Sequence, residues 1–223
     1  MEDIEIINLW KKQNEKIDKS LYINKKLLAD AINRKAQKAL VSFRRLTTTG
    51  IISFVIYLFV LIFLLYYAVL HYSSAANYFI VSISAIILIN IKGFTDYIRH
   101  LFLINNIDFD GNITQIQQRL NKLQLSVISH ARIMVLQCPF WTTIYLSDAW
   151  FPQTVGLAYI IFQIAFTLSF TYLAYWLYKN HKIGNLDKKW FRVMISGSGG
   201  ASIKRAMDFY TEIEIFMDGE NDF

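Results

Sequence analysis

The chain has 223 residues, of which 54% are hydrophobic and 18% charged, with a mean hydropathy of +0.31 and a formal net charge of +6. Soluble domains are usually about 45–50% apolar and about 25% charged, so this composition is typical of a membrane protein. Two prolines, nine glycines and one cysteine exclude a collagen-like chain, a disulfide scaffold and a disordered protein, and they favour long helices.

The first segment, residues 1–50, is predicted to be a cytoplasmic amphipathic helix. No Gly or Pro interrupts positions 1–49, and we expect the helix to run on into the first membrane span. Apolar residues recur at near-heptad spacing: Ile17, Leu21, Leu28, Ile32, Ala39 and Phe43. Ahead of them, Ile4, Ile7 and Trp10 form a second, shorter apolar face. The basic run from Arg34 to Arg45 is interpreted as a topology anchor.

Four apolar runs are predicted to cross the membrane, at about 51–71, 74–91, 131–150 and 154–178. The first and fourth each have about 20 or more residues without charge, the length that covers a hydrocarbon layer of about 30 Å. The second and third are shorter in their purely apolar parts. Pro139 and Gln137 interrupt the third run, and a proline inside a helix removes a hydrogen bond and bends it.

The distribution of charge predicts the orientation of these spans. Residues 1–50 carry 11 Lys/Arg and 6 Asp/Glu, residues 92–132 carry 5 and 3, and residues 179–223 carry 7 and 7. The connections 72–76 and 147–153 contain no basic residue and only one acid, Asp148. Because cytoplasmic loops are enriched in Lys and Arg, both termini and the connector 92–132 are expected in the cytoplasm of a bacterial inner-membrane protein.

The predicted fold is therefore all-α, with four transmembrane helices arranged as two hairpins in a membrane domain, residues 51–178. The connector 92–132 is expected to form a helical hairpin with a heptad seam of Ile113, Ile116, Leu120, Leu123 and Val127. Asn112 and Gln115 resemble a capping box at the start of its second arm. The tail, 179–223, contains a Gly/Ser linker at Ser196–Gly200 and a last amphipathic helix.

The sequence contains no recognisable set of catalytic, cofactor-binding or metal-binding residues. The purely apolar parts of the predicted spans, 51–70, 77–91, 133–146 and 154–178, contain no Asp, Glu, Lys, Arg or His, whereas ion-coupled transporters and proton relays generally need such groups at depth. Gln163, Thr167 and Thr171 form a polar stripe at i, i+4 and i+8. Two interpretations stay open: a polar pathway in a small transporter or channel subunit, and hydrogen bonding between packed helices.

Two stretches carry a resemblance to a known group of proteins. They are Leu9-Trp10-Lys-Lys-Gln13 with Ile17-Asp-Lys-Ser-Leu21, and Ile107-Asp-Phe-Asp110 with the run from Ile113 to Leu120. The chain resembles uncharacterised bacterial multi-span inner-membrane proteins that begin with a short cytoplasmic helix, some of them encoded beside extracytoplasmic-function sigma factors. The resemblance implies a regulatory role, such as holding a sigma factor at the membrane. The His-x-x-x-Cys-x-x-Cys motif of zinc-type anti-sigma factors is absent, so such a role would rest on helix packing.

The leading hypothesis is a non-enzymatic membrane protein whose cytoplasmic amphipathic helices bind a protein partner or a second copy of the chain. We expect no nucleic-acid partner, since the basic residues are interleaved with an apolar face and the tail is neutral overall. The seams on residues 1–50 and on the connector supply the predicted partner-binding residues: Trp10, Leu21, Leu28, Ile32, Ile116, Leu120 and Leu123.

Overall fold

A computed structural model describes residues 2–109, 113–185, 188–196 and 200–218. Over these ranges the chain is helical and contains no strand, which confirms the all-α prediction for them. Three-residue 3-10 turns at Ser74–Ala76, Val135–Gln137 and Ile183–Asn185 precede α2, α4 and α6. The helices are α1 (Glu2–Leu70), α2 (Asn77–Asn105), α3 (Ile113–Met134), α4 (Cys138–Trp141), α5 (Leu157–Asn180), α6 (Lys189–Ser196) and α7 (Gly200–Asp218).

The first helix is continuous from the amphipathic segment into the apolar run, as expected. It has 69 residues, which corresponds to about 100 Å at 1.5 Å per residue. Its only glycine, Gly50, lies against α2, where an added Cβ would stand 2.4 Å from Cε1 of Tyr97. Glycine therefore allows the backbone of α1 to approach α2 closely at this point.

Among the described residues, three helical stretches are long and apolar enough to cross a membrane: Ile7–Leu70, Ser74–Asn105 and Leu157–Asn180. Their apolar side chains are largely exposed, with 71% of Phe59, 69% of Leu88 and 61% of Leu168 accessible. Soluble monomers rarely expose apolar patches of this extent, so these surfaces are compatible with contact to lipid.

The predicted third span, 131–150, differs from expectation because it is not one helix. α3 ends at Met134, a 3-10 turn follows, and α4 extends for only four residues. Turns then occupy most of the chain up to α5. Pro139 lies in the first turn of α4, where its missing N–H is tolerated, whereas inside a longer helix it would clash with the preceding turn. The last predicted span, 154–178, is found as α5.

Four helical segments form a four-helix bundle: α3, α7, the end of α2 and the part of α1 from Leu28 to Phe43. The seams of these helices meet in one apolar core. Asn112, the predicted cap of α3, lies outside the described residues. The buried core residues are Ile32, Ala36, Leu40, Phe43, Ile104, Ile107, Ile116, Leu120, Leu123, Val127, Ile203 and Ala206.

A second core lies between the apolar helices. Leu61 of α1 packs with Ile83, Ile86 and Ile87 of α2. Phe140 and Ile144 cover them from the irregular segment, which is residues 135–156 between α3 and α5. α6 packs against α3 through Phe191, which is fully buried against Ile128. The two cores are therefore stacked along α1 and α2, one among the amphipathic helices and one among the apolar helices.

Candidate functional site

The predicted partner-binding residues fall into two groups. Ile32, Ile116, Leu120 and Leu123 are 0–6% exposed in the core of the four-helix bundle, and Leu28 packs against it. Their seams cover each other, so these side chains are used inside the chain. Leu21 and Trp10 are 38% and 66% exposed. The structure therefore leaves one predicted seam open, at the beginning of α1.

The N-terminal arm, defined as residues 7–27 of α1, extends beyond the four-helix bundle. Every residue from 7 to 24 is exposed. A 3-4 spacing runs along one face through Ile7, Trp10, Asn14, Ile17, Leu21, Asn24 and Leu28. Burying one such apolar side chain contributes about 1.5–3 kcal/mol. In proteins most of the stability of a helix comes from the packing of its amphipathic face, so this face favours association.

The charges of the arm are compatible with that association. In the heptad that places Ile7, Asn14, Leu21 and Leu28 at position a, most charged side chains fall on the outer positions b, c and f. These are Lys12, Glu15, Lys16, Lys19 and Lys26. The seam itself carries no charge, so two arms can pair without burying an ion.

Gln163 is the centre of a hydrogen-bond network between α5 and the irregular segment. Its Nε2 donates to the carbonyl of Thr142 at 2.7 Å and to Oγ1 of Thr167 at 3.2 Å, and its Oε1 accepts from the hydroxyl of Tyr145 at 2.7 Å. Gln163 is 2% exposed. Thr171 does not join, because its hydroxyl donates to the carbonyl of Thr167 in its own helix. This arrangement favours the packing interpretation of the stripe over the transport interpretation.

Three more polar pairs join the irregular segment to α2. Asn90 Nδ2 donates to Gln137 Oε1 at 3.0 Å, the hydroxyls of Ser82 and Thr143 lie 2.9 Å apart, and Asn77 Nδ2 donates to Asp148 Oδ2 at 2.6 Å. Later residues of the segment pair with earlier residues of α2, from Asn90 back to Asn77. The segment therefore runs antiparallel to α2 between these two residues, a distance of about 20 Å along the helix.

A buried group of titratable residues lies just beyond the apolar part of α2, and two of its members, His100 and His130, are on the two arms of the predicted connector hairpin. Asp96, His100 and His130 are 3–6% exposed, and the two imidazole rings are 5.6 Å apart between centroids. Lys92 pairs with Asp96, and His130 Nδ1 lies 3.6 Å from Asp96 Oδ2. The i, i+4, i+8 spacing of Lys92, Asp96 and His100 was the available signal.

The chemistry of this group is set by its burial. Asp96 Oδ2, His100 Nε2 and His130 Nδ1 are buried and have no hydrogen-bond partner. Burial lowers the pKa of the His130 imidazole well below its ordinary value, and the neighbouring His100 lowers it further. His130 is therefore neutral at pH 7. Among the described residues, no three His, Cys, Asp or Glu side chains are placed to hold a metal ion.

No protein family, curated protein or solved structure shows significant similarity to this chain.

Proposed function

We propose that this chain is a non-enzymatic inner-membrane protein that associates with a second copy of itself through the N-terminal arm. The observation that carries the proposal is the open heptad face of the arm, since the other predicted seams are covered within the four-helix bundle. The membrane spans would serve as the anchor that fixes the arm at the membrane surface.

A second copy fits this face for geometric reasons. Two copies in one membrane project their arms in the same direction, so the arms can meet as a parallel pair. Asn14 at position a supports a defined two-stranded register, because a polar residue inside a seam penalises other registers. Confinement to a membrane raises the effective concentration of one arm near another, which compensates for the shortness of the seam.

The proposed topology has four crossings, with both termini in the cytoplasm. The polar pairs along α2 and the Gln163 network support a third crossing by the irregular segment, with α2 and α5 on its sides. Backbone that is not helical is tolerated at membrane depth only where protein covers it. The cation–π contact of Arg132 with Tyr178, 4.0 Å from the ring centroid, would mark the cytoplasmic level of this crossing.

The regulatory hypothesis is compatible with this proposal. A sigma factor or another cytoplasmic protein that bound the arm would compete with self-association, because both would use the same apolar face. A second copy of the chain is the favoured partner, because anchoring in one membrane sets the parallel direction of the two arms and Asn14 sets their register.

Co-purification of two differently tagged copies of the full chain from one membrane tests the proposal. Leu21→Glu places a charge on the seam, whereas Leu9→Glu makes the same substitution at position c, where Leu9 is 65% exposed. We expect wild type and Leu9→Glu to recover both tags, and Leu21→Glu to recover only the tag that is pulled down. Recovery of both tags by Leu21→Glu, or of only one by wild type, would refute self-association. Retention of a different protein by wild type alone would assign the arm to that partner.

A further inference from the structure

A cavity of about 350 Å³ lies at the end of the apolar helices that is farthest from the four-helix bundle. It opens between the first turns of α2 and the irregular segment. The residues that line it are Asn77, Tyr78, Val81, Ser82, Phe140, Thr143 and Asp148. None of the features already assigned to the arm or to the Gln163 network uses this cavity.

The cavity has one charged end, at the carboxylate of Asp148. Asp148 is half-buried, and its Oδ2 accepts a hydrogen bond from Asn77 Nδ2 at 2.6 Å. The amide oxygen of Asn77 in turn accepts from the hydroxyl of Tyr72 at 3.0 Å. These contacts fix the carboxylate at the mouth of the cavity, but they supply no positive charge.

The sequence around the cavity contains no cation to pair with Asp148. No Lys or Arg occurs between Arg45 and Lys92, or between Arg132 and Lys179. His71, which directly follows α1, directs its Nδ1 to the carbonyl of Tyr67 at 3.2 Å. A half-buried carboxylate with an amide donor and no cation is complementary to an ammonium group that brings its own N–H donors.

The rest of the cavity is suited to hydrocarbon. Val81, Phe140 and the ring of Tyr78 contribute apolar surface, and the hydroxyls of Ser82 and Thr143 are turned to each other at 2.9 Å. Val81 is 65% exposed on the apolar part of α2, the surface that faces lipid in the proposed topology. The cavity thus continues from a carboxylate at the membrane surface into the hydrocarbon region.

We propose that this cavity binds phosphatidylethanolamine from the surrounding bilayer, with the lipid ammonium on Asp148 and the start of an acyl chain along Val81 and Phe140. A primary ammonium can donate hydrogen bonds to the carboxylate, whereas the trimethylammonium of phosphatidylcholine has no N–H. An anionic lipid would be repelled by Asp148. The site lies outside the arm, so it rests on the proposed membrane topology but not on self-association.

Lipid retention tests the proposal. The full chain is purified from nanodiscs containing equal amounts of phosphatidylethanolamine and phosphatidylcholine, and retained lipids are counted by native mass spectrometry. We expect wild type to prefer phosphatidylethanolamine by about tenfold, the effect of one charge-assisted hydrogen-bonded contact. Asp148→Asn should remove this preference. Glu15→Gln, which removes the same charge from the arm, should keep it.

A second variant separates loss of the site from loss of the fold. Val81→Phe fills the cavity and leaves Asp148 and Asn77 in place, so it should lower lipid retention while the protein stays folded. Equal retention of both lipids by wild type would indicate bulk bilayer lipid only and would overturn the proposal. So would a phosphatidylethanolamine preference that survives both Asp148→Asn and Val81→Phe.

Discussion

Truncating two leucines of the same predicted set should separate the folding core from the association surface. Leu120 is 0% exposed in the centre of the four-helix bundle, so Leu120→Ala removes a fully buried side chain and leaves a cavity. Such substitutions cost about 2–5 kcal/mol of unfolding free energy. Leu21 is 38% exposed on the arm and packs against no described core, so Leu21→Ala should cost less than about 1 kcal/mol.

Thermal unfolding, measured by circular dichroism at a concentration where the protein is monomeric, gives the first half of the test. At about 2–4 °C per kcal/mol for a chain of this size, Leu120→Ala should lower the midpoint by about 4–20 °C, and Leu21→Ala should leave it within a few degrees. Co-purification of tagged copies gives the other half, where Leu21→Ala should weaken pairing. The reasoning would be refuted if Leu21→Ala destabilised the monomer as much as Leu120→Ala, because the arm would then belong to the folded core.

Three further substitutions test the packing of the helices, each by thermal unfolding of the full chain in nanodiscs. Gln163→Leu should lower the free energy of unfolding by about 1–3 kcal/mol, because it leaves the buried Thr142 carbonyl without its hydrogen-bond donor. Thr171→Val, the control, should change it by less than about 0.5 kcal/mol. Gly50→Ala should destabilise by about 1–3 kcal/mol, since its methyl group would meet the tyrosine ring of α2, whereas Gly184→Ala has open space around it and should be close to neutral. The free energy of unfolding should fall as pH decreases below about 6.5, because His130 takes up a proton in the unfolded chain but not when it is buried in the folded chain. His130→Gln should reduce the slope of stability against pH. A Gln163→Leu variant of unchanged stability, a neutral Gly50→Ala or an unchanged pH slope in His130→Gln would contradict the corresponding contact.

The sequence predicts the helices well because their signal is local. The stretch 1–49, which is free of Gly and Pro, and the apolar run after Gly50 predict α1, and heptad spacing marks the faces of α1, α3 and α7 that must be covered. That spacing cannot say what covers each face. Ile32 and Leu120 meet only because α1 and α3 are brought side by side, so the same pattern that buries them leaves Leu21 exposed.

The irregular segment shows another limit of sequence reasoning. Hydropathy measures the transfer of side chains into an apolar medium, and 131–150 is predicted as a span because most of its side chains are apolar. The path of the backbone depends on hydrogen bonds to other parts of the chain. Gln137 and Thr143 find partners on α2, and the carbonyl of Thr142 finds Gln163, so a broken path is stabilised around Pro139.

The buried titratable group could be predicted only in part. A helical hairpin in the connector 92–132 can bring His100 on one arm close to His130 on the other, and their rings are 5.6 Å apart. Their burial with Asp96 follows from the lateral register of α2 against α3, which no periodicity in either helix fixes. The packing of α2 against α1 brings Tyr97 against Gly50 in the same way.

A cysteine scan through positions 7–28 is the most direct test of self-association by the arm. With Cys138→Ala as background, each single-cysteine protein is oxidised in its native membrane and the disulfide-linked dimer is measured. The account predicts maxima at the seam positions, including Trp10, Ile17 and Leu21, with minima at outer positions such as Lys12 and Lys19, because only a parallel seam brings equivalent Cα atoms within disulfide range. Dimer yields without this 3-4 period, or no dimer at any position, would contradict it.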